Sequence, residues 1–238
     1  MDPDTKKLYS DGLALYEQGK IKEALEVLKK VVASYPDYPD VHNALGLAYS
    51  LSGNHTEAIN CFKRATELNP NYIEAYVNMA IIYNEQCQFE EAIASFEKAA
   101  NLETKEKGFS PQLRAKLANT YRQLGDTYYE LQNYEKAKDE YERAAELGPT
   151  FLDIKLKLAK AYLQLGQFDE SERLLKEIVE KNPKYLEAKT TLGLCYYRQS
   201  RFDEARRQWE DVVEQEPGNI KAKSYLQMLK EKRDDKEV

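Results

Sequence analysis

Proline recurs along this chain at a fixed interval. Five prolines are separated by 34 residues or by two such periods plus eleven residues: Pro36, Pro70, Pro149, Pro183 and Pro217. In the long interval, Thr104 stands where the intervening proline would fall. A fixed period of this length is typical of a fold in which one supersecondary unit is stacked repeatedly, each copy packing on its neighbours.

Small and large residues follow the same period, again with one interval longer by eleven residues. The first small series is Gly12, Gly46, Ala80, Gly125, Ala159 and Gly193. The second small series is Ala24, Ala58, Ala92, Ala137, Ser171 and Ala205. The large series is Leu28, Phe62, Phe96, Tyr141, Leu175 and Trp209. Small residues let helices approach closely and large ones fill the adjacent space, so each period predicts a helical hairpin closed by a proline.

The segment VHNALGLAYSLSGNHTEAINCFKRATELNP resembles one repeat of the tetratricopeptide family. It carries that family's residues at Leu45, Gly46, Tyr49, Gly53, Ala58, Phe62, Ala65 and Pro70. The aromatic position recurs as Tyr49, Tyr83, Tyr128, Tyr162 and Tyr196. The resemblance covers nearly the whole chain and implies an all-α fold, a right-handed superhelical solenoid of antiparallel helix pairs.

The period divides the chain into six repeats and a C-terminal segment. Repeats one to three occupy residues 5–106, the eleven extra residues 107–117 form an insertion, and repeats four to six occupy residues 118–219. Residues 220–238 are expected to form a capping helix and a charged tail. Ser110 and Pro111 favour a helix start, which extends the next helix, and Phe109 is the expected exposed side chain of the insertion.

In this family the first helices of successive hairpins line a concave groove that binds partner peptides or helices. The resemblance therefore implies a partner-binding groove formed by Tyr9, Leu13, Tyr16, Asn43, Leu47, Leu51, Val77, Ile81, Asn84, Arg122, Tyr129, Leu156, Lys160, Leu163, Leu194 and Tyr197. Many of these residues are apolar, which favours a hydrophobic or amphipathic ligand segment. The alternative is that they pack against neighbouring first helices and leave little surface.

Charged residues are distributed unevenly along the same helices. The first half of the groove carries Glu17, Asp40, Glu74 and Glu85. The second half mixes both signs: Arg122, Lys157, Lys160, Arg198 and Lys221 with Asp126, Glu130, Asp153 and Glu187. This asymmetry either orients a ligand or is an ordinary solvated surface.

A subset of tetratricopeptide proteins binds the C-terminal carboxylate of chaperones through paired lysines, asparagines and an arginine. The corresponding positions of repeats two to four hold Asn43, Leu47, Asn78, Asn119 and Gln123. The required cations are missing, so a chaperone C-terminal tail is not the expected partner.

Composition limits the remaining functions. The net charge of -6 gives no support for nucleic-acid binding, and no apolar run is long enough to insert into a membrane. Cys61, Cys87 and Cys195 form no CxxC pair, and His42 and His55 are the only histidines, so we expect no metal site and no cofactor. No nucleotide-binding or nucleophile motif occurs, which predicts a chain without catalytic residues.

We therefore expect a non-enzymatic adaptor or scaffold in the cytoplasm, although a leader or anchor removed earlier would leave no trace in this sequence. Two alternatives stay open. One is a structural protein that assembles into homo-oligomers. The other is a regulatory domain of a larger enzyme or membrane-associated protein.

Overall fold

The computed structural model describes residues 2–106 and 110–234, and within these ranges the chain is an all-α helical repeat solenoid. Its helices are α1 (Pro3–Glu17), α2 (Ile21–Ser34), α3 (Pro39–Leu51), α4 (His55–Leu68), α5 (Ile73–Glu85), α6 (Phe89–Glu106), α7 (Pro111–Glu130), α8 (Tyr134–Leu147), α9 (Leu152–Gln164), α10 (Phe168–Lys181), α11 (Leu186–Arg198), α12 (Phe202–Gln215) and α13 (Ile220–Asp234). None of these helices combines the length and apolar character required to cross a bilayer.

Prolines determine where most of the second helices end. In α2, α4, α8, α10 and α12 the last helical residue lies two positions before a proline of the periodic series. Proline lacks the amide hydrogen that a continuing helix needs and disfavours helical geometry in the preceding residue. In α6, where Thr104 replaces the proline, the helix continues to Glu106.

The tight turns inside the hairpins also recur at one register. Gly19, Gly53 and Gly166 adopt positive φ angles of 74°, 80° and 75° there. The other hairpins place non-glycine residues at the same position, and Cys87 and Gln132 have φ angles of 58° and 59°. A residue in this left-handed conformation ends the first helix and redirects the chain into the second.

The packing inside each hairpin confirms the role predicted for the small and large residues. All six large side chains of the second helices are buried, with at most 2% of their surface exposed. A Cβ atom added to Gly46 would lie 2.6 Å from the Phe62 ring, and one added to Gly193 would lie 2.3 Å from Trp209 Nε1. The glycines therefore permit a helix approach that a side chain would prevent.

The chain consists of two compact units, unit 1 (Met1–Thr120) and unit 2 (Tyr121–Val238). The core of unit 1 includes Leu28 and Leu45 in one cluster and Phe62 and Ile82 in another. Unit 2 has a continuous core that extends from Ala137 to Leu229 and includes α13.

The insertion is followed by the longest helix of the described ranges. α7 has 20 residues, whereas α3 and α5 have 13 each. Ser110 Oγ accepts a hydrogen bond from the amide of Leu113 at 3.3 Å, which is the expected geometry of an N-terminal cap. Phe109, the residue expected to be exposed in the insertion, lies outside the described residues.

Candidate functional site

The first helices of unit 1, α1, α3 and α5, contact one another in chain order. Residues three or four positions apart share one side of a helix. We call the resulting surface the first-helix face of unit 1, formed by Tyr9, Leu13, Tyr16, Asn43, Leu47, Leu51, Val77, Ile81 and Asn84. These residues are the sequence-predicted site residues that belong to unit 1.

The apolar side chains of this face are only partly covered by the core. Leu13 and Tyr16 are half-buried against the Leu28 cluster, and Leu47 is half-buried against the Phe62 cluster. Leu51 has 61% of its surface exposed. The face therefore presents a discontinuous apolar surface, of which Leu51 is the most accessible part.

Two asparagines of the face, Asn43 and Asn84, differ in the hydrogen bonds that their side-chain oxygens accept. Asn78 Nδ2 in α5 donates a hydrogen bond to Asn43 Oδ1 in α3 at 3.1 Å, and Asn43 is only 6% exposed. Asn43 therefore joins two first helices rather than offering its oxygen to a partner. Asn84 is half-buried, and its Oδ1 has no hydrogen-bond donor among the residues that the structure describes.

The hydroxyl groups of Tyr9 and Tyr72 contact Asp40, which lies in the first turn of α3. The hydroxyl of Tyr9 lies 3.4 Å from the Asp40 carbonyl oxygen. Burial raises the pKa of Tyr72, as does its hydrogen bond to the Asp40 carboxylate, with a further contribution from the charge of Glu74. Tyr72 was absent from the sequence prediction because it precedes α5, outside the helical register that defined the groove.

A small cavity lies between α5 and the first turns of α7. It has a volume of about 150 Å³ and is lined by Ile73, Val77, Glu103, Ser110, Gln112, Leu113 and Lys116. Glu103 Oε2 accepts a hydrogen bond from the Ser110 amide at 3.1 Å. Val77 is half-buried and contributes to the lining of this cavity.

The first helices of unit 2 carry a polar network. Asp126 of α7 accepts hydrogen bonds from Arg122 at 2.7 Å and from the buried Tyr141 hydroxyl at 2.7 Å. Lys157 of α9 lies 2.9 Å from the same carboxylate. Burial raises the pKa of Tyr141, and the hydrogen bond to Asp126 raises it further. Asp126 is therefore satisfied by three groups of its own unit.

A second ion pair joins α9 to α11. Lys160 Nζ lies 2.5 Å from Glu187 Oε1, and this contact lowers the pKa of Glu187. A cavity of about 190 Å³ in this part of unit 2 is lined by Asp126, Tyr129, Glu130, Tyr141, Lys157 and Lys160. The sequence analysis identified Tyr141 only as a core residue. Tyr141 is the one member of the large series that carries a hydroxyl, and this hydroxyl could have indicated a polar contact.

Several predicted groove residues of unit 2 offer little surface. Leu156 and Leu163 are only 3% and 4% exposed and belong to the core of unit 2. Leu194 is half-buried. Tyr197 is also half-buried and packs against Phe202 with a ring-centroid distance of 5.5 Å. Leu156 and Leu163 therefore offer little of their own surface to a partner.

Tyr129 is half-buried and lies against Tyr134 with a ring-centroid distance of 5.1 Å. Its hydroxyl accepts a weak hydrogen bond from Gln164 Nε2 at 3.4 Å. Burial raises the pKa of Tyr129. Within the described ranges, no group of three or more His, Cys, Asp or Glu residues is arranged to hold a metal ion.

Family models match most of the chain. Models described as tetratricopeptide repeat match residues 39–105, 71–149 and 156–220, and a model described as TPR repeat matches residues 12–53. A search of curated protein sequences finds no match.

Solved structures share the fold at low sequence identity. YrrB, described as a TPR protein with an unusual peptide-binding site, is 17% identical with a TM-score of 0.56, and the match covers 84% of this chain and 98% of YrrB. MamA is 22% identical with a TM-score of 0.53, over 77% of this chain and 94% of MamA. The Sgt2 TPR domain from Aspergillus fumigatus is 23% identical with a TM-score of 0.50, over 54% of this chain and 83% of that domain.

Proposed function

This chain belongs to the tetratricopeptide repeat family, and we propose that it is an adaptor that binds a segment of a partner protein on the first-helix face of unit 1. Stacked helical repeats create extended surfaces, and the family is generally a non-catalytic protein-interaction module. The fold alone does not identify a ligand, so the proposal depends on the residues of the face itself.

The observation that carries the proposal is the partly exposed apolar surface of α1, α3 and α5. Leu51 is 61% exposed. Leu13, Leu47 and Ile81 share the repeat position one helical turn earlier, and all three are half-buried. A partner segment that covered these side chains would remove apolar surface from water, which favours association by about 25 cal/mol for each Å² buried. YrrB, which is described as having a peptide-binding site, provides a precedent within the same fold.

The corresponding face of unit 2 supports the proposal less well. Its centre holds the Arg122–Asp126–Lys157 cluster, and Lys160 is paired with Glu187. A partner that covered these charges would have to replace the water around them, which opposes binding unless new hydrogen bonds form. We therefore assign the main contact to unit 1.

The double variant Leu47→Asp/Ile81→Asp tests this assignment. We expect it to lose partners that the wild-type chain retains in affinity capture from a native cell extract, because two carboxylates would be buried beneath the bound segment. Circular dichroism must show unchanged helicity, since both side chains are half-buried. A milder variant, Leu51→Ser, removes only an exposed side chain and should weaken capture by about tenfold.

Ile220→Asp is the matched control, because it also places an acid at an exposed apolar position, with 79% of the side chain exposed. Ile220 lies in α13 of unit 2 and should be neutral for capture. Retention of the same partners by the wild type and by Leu47→Asp/Ile81→Asp would reject the first-helix face as the binding site.

A further inference from the structure

The acidic residues of unit 1 flank its first-helix face on two edges. Asp40 and Glu74 lie in the first turns of α3 and α5. Glu17 and Glu85 are the last residues of α1 and α5, at the register that Leu51 occupies in α3. The other apolar side chains of the face lie between these two ends of the helices, and Leu51 lies at the same end as Glu17 and Glu85. The face therefore has an apolar centre with acids at both ends.

Cations are scarce on the same helices. The sequences of α3 and α5 contain no lysine or arginine, and α1 contains only Lys6 and Lys7, both of them exposed. Lys116 lines the cavity next to Val77 on the α7 side. The central part of the face therefore has no side-chain cation of its own.

The acids at these edges lack ion-pair partners. Among the described residues, Glu17, Glu74 and Glu85 form no ion pair, and Asp40 is engaged by a tyrosine hydroxyl. Unit 2 differs in part: its first-helix acids Asp126 and Glu187 are paired with cations of the same unit, whereas Glu130 and Asp153 form no ion pair among the described residues. Like charges without compensation favour the approach of an oppositely charged group and disfavour an acidic one.

Building on the function proposed above, we propose that the partner segment is amphipathic and cationic: an apolar strip flanked on both sides by lysine or arginine. Its apolar strip covers Leu13, Leu47, Leu51 and Ile81. Its flanking cations pair with Asp40 and Glu74 on one edge and with Glu17 and Glu85 on the other. Charge then selects the partner, while the apolar contact supplies much of the affinity.

Three synthetic peptides of about 18 residues, roughly five helical turns, serve as probes. They share one leucine face at helical spacing and carry lysine, glutamine or glutamate at the flanking positions. Binding to the full chain is measured by fluorescence anisotropy at about 50 mM and about 300 mM salt, because screening weakens exposed charge pairs. We expect the lysine peptide to bind about tenfold more tightly than the glutamine peptide at low salt, and the glutamate peptide to bind most weakly.

Matched charge variants separate a local effect from the net charge of the protein. Glu74→Gln/Glu85→Gln removes two acids from the edges of the face, and Glu23→Gln/Glu26→Gln removes two exposed acids from α2. We expect the first pair to remove most of the preference for the lysine peptide and the second pair to leave it unchanged. An equal loss in both pairs would overturn the proposal, because the preference would then reflect total charge only.

The peptide series also distinguishes this proposal from the one on which it rests. Equal binding of all three peptides, abolished by Leu47→Asp/Ile81→Asp, overturns the charge selection and leaves the apolar binding face in place. Tightest binding of the glutamate peptide overturns the charge selection as well. If none of the peptides binds, both proposals fail.

A second copy of this chain is the competing occupant of the face. Light scattering of the chain alone across a concentration series measures this self-association directly. A monomer throughout supports a different protein as the partner. Self-association that disappears in Glu74→Gln/Glu85→Gln would assign the face to another copy and overturn the proposed partner.

Discussion

One pair of repeat positions joins the two helices of a hairpin in three successive repeats, by a cation–π contact in the first and by a lysine–carboxylate ion pair in the other two. Arg143 lies over the Tyr121 ring at 5.7 Å in the first of them. At the same positions in the next repeat, Lys155 Nζ lies 2.6 Å from Glu177 Oε1. In the last, Lys189 pairs with Asp211. The repeat preserves the location of a polar contact, and each pair of residues determines its type.

Lys189 has the most buried side chain of the three cations in these contacts. Lys189 is 6% exposed overall, whereas the side chain of Asp211 is 41% exposed. Burial raises the pKa of Asp211, but hydrogen bonds from Lys189 and Gln215 outweigh it and leave the pKa below its ordinary value. The ammonium group therefore depends on this carboxylate for most of its stabilisation.

We predict that Asp211→Ala destabilises the chain by about 2 kcal/mol, because it leaves a buried ammonium group without a counter-charge. The cost should be smaller than for a fully buried pair, since Asp211 is partly solvated. Urea denaturation followed by circular dichroism measures it. The double variant Lys189→Met/Asp211→Leu should recover most of the loss. A double variant as unstable as Asp211→Ala would show that packing, rather than the unpaired charge, causes the effect.

At the level of the helix pair, the crossing of α11 and α12 is the tightest of the helix crossings that contain a glycine. The side chain of Trp209 is fully buried, and its Nε1 donates a hydrogen bond to the Thr190 carbonyl oxygen at 3.0 Å. A Cβ atom on Gly193 would lie 2.3 Å from that nitrogen. The indole is fully buried and held by this hydrogen bond, so a shift away from an added Cβ would disturb the contact, and this crossing depends on glycine.

We predict that Gly193→Ala destabilises the chain by about 2 kcal/mol through overpacking. The direction of the change in stability is informative, because alanine in an open helical position is more favourable than glycine by about 1 kcal/mol. The chain has a single tryptophan, so urea denaturation followed by its fluorescence reports directly on this crossing. Gly218→Ala is the control: no atom lies within 4 Å of the added Cβ, and stability should change by less than about 0.5 kcal/mol. Equal midpoints for Gly193→Ala and the wild type would contradict the prediction.

At the scale of the whole chain, most contacts between helices join neighbours in sequence order. In unit 2 the last hairpin is covered by α13, where Tyr225 stacks on Trp209 at a centroid distance of 4.8 Å and Leu229 is 3% exposed. In such arrays stability is approximately a sum of repeat and nearest-neighbour terms. A defect in α13 should therefore act mainly on the adjacent hairpin.

We predict that Tyr225→Ala/Leu229→Ala accelerates amide hydrogen exchange in α11 and α12 by about a hundredfold, because it removes about 3 kcal/mol of packing against them. Exchange in α1 to α4 should be unchanged. Hydrogen exchange with mass spectrometry measures both regions in one experiment. A uniform loss of protection along the chain would instead indicate that the array unfolds as one cooperative unit.

The 34-residue period was sufficient to predict the family, the all-α class and the burial of residues such as Phe62 and Trp209, and these predictions are confirmed. They follow from local chemistry: proline ends a helix, a small residue permits a crossing, and an apolar residue at a helical period is buried. The sixteen groove residues stay a prediction as binding residues, and the repeat boundaries stay a prediction as domain limits.

Exposure was decided only by tertiary structure. Val77 and Leu156 occupy the same position in their repeats, yet Val77 is half-buried and Leu156 is 3% exposed. Charge pairing also depends on tertiary structure. Asp126 is contacted by Tyr141 and Lys157 of other helices, whereas Glu74 pairs with no cation among the described residues. A periodic sequence specifies which side of a helix faces its own hairpin. How much of the opposite side stays in contact with water depends on the packing of adjacent hairpins, which no single repeat encodes.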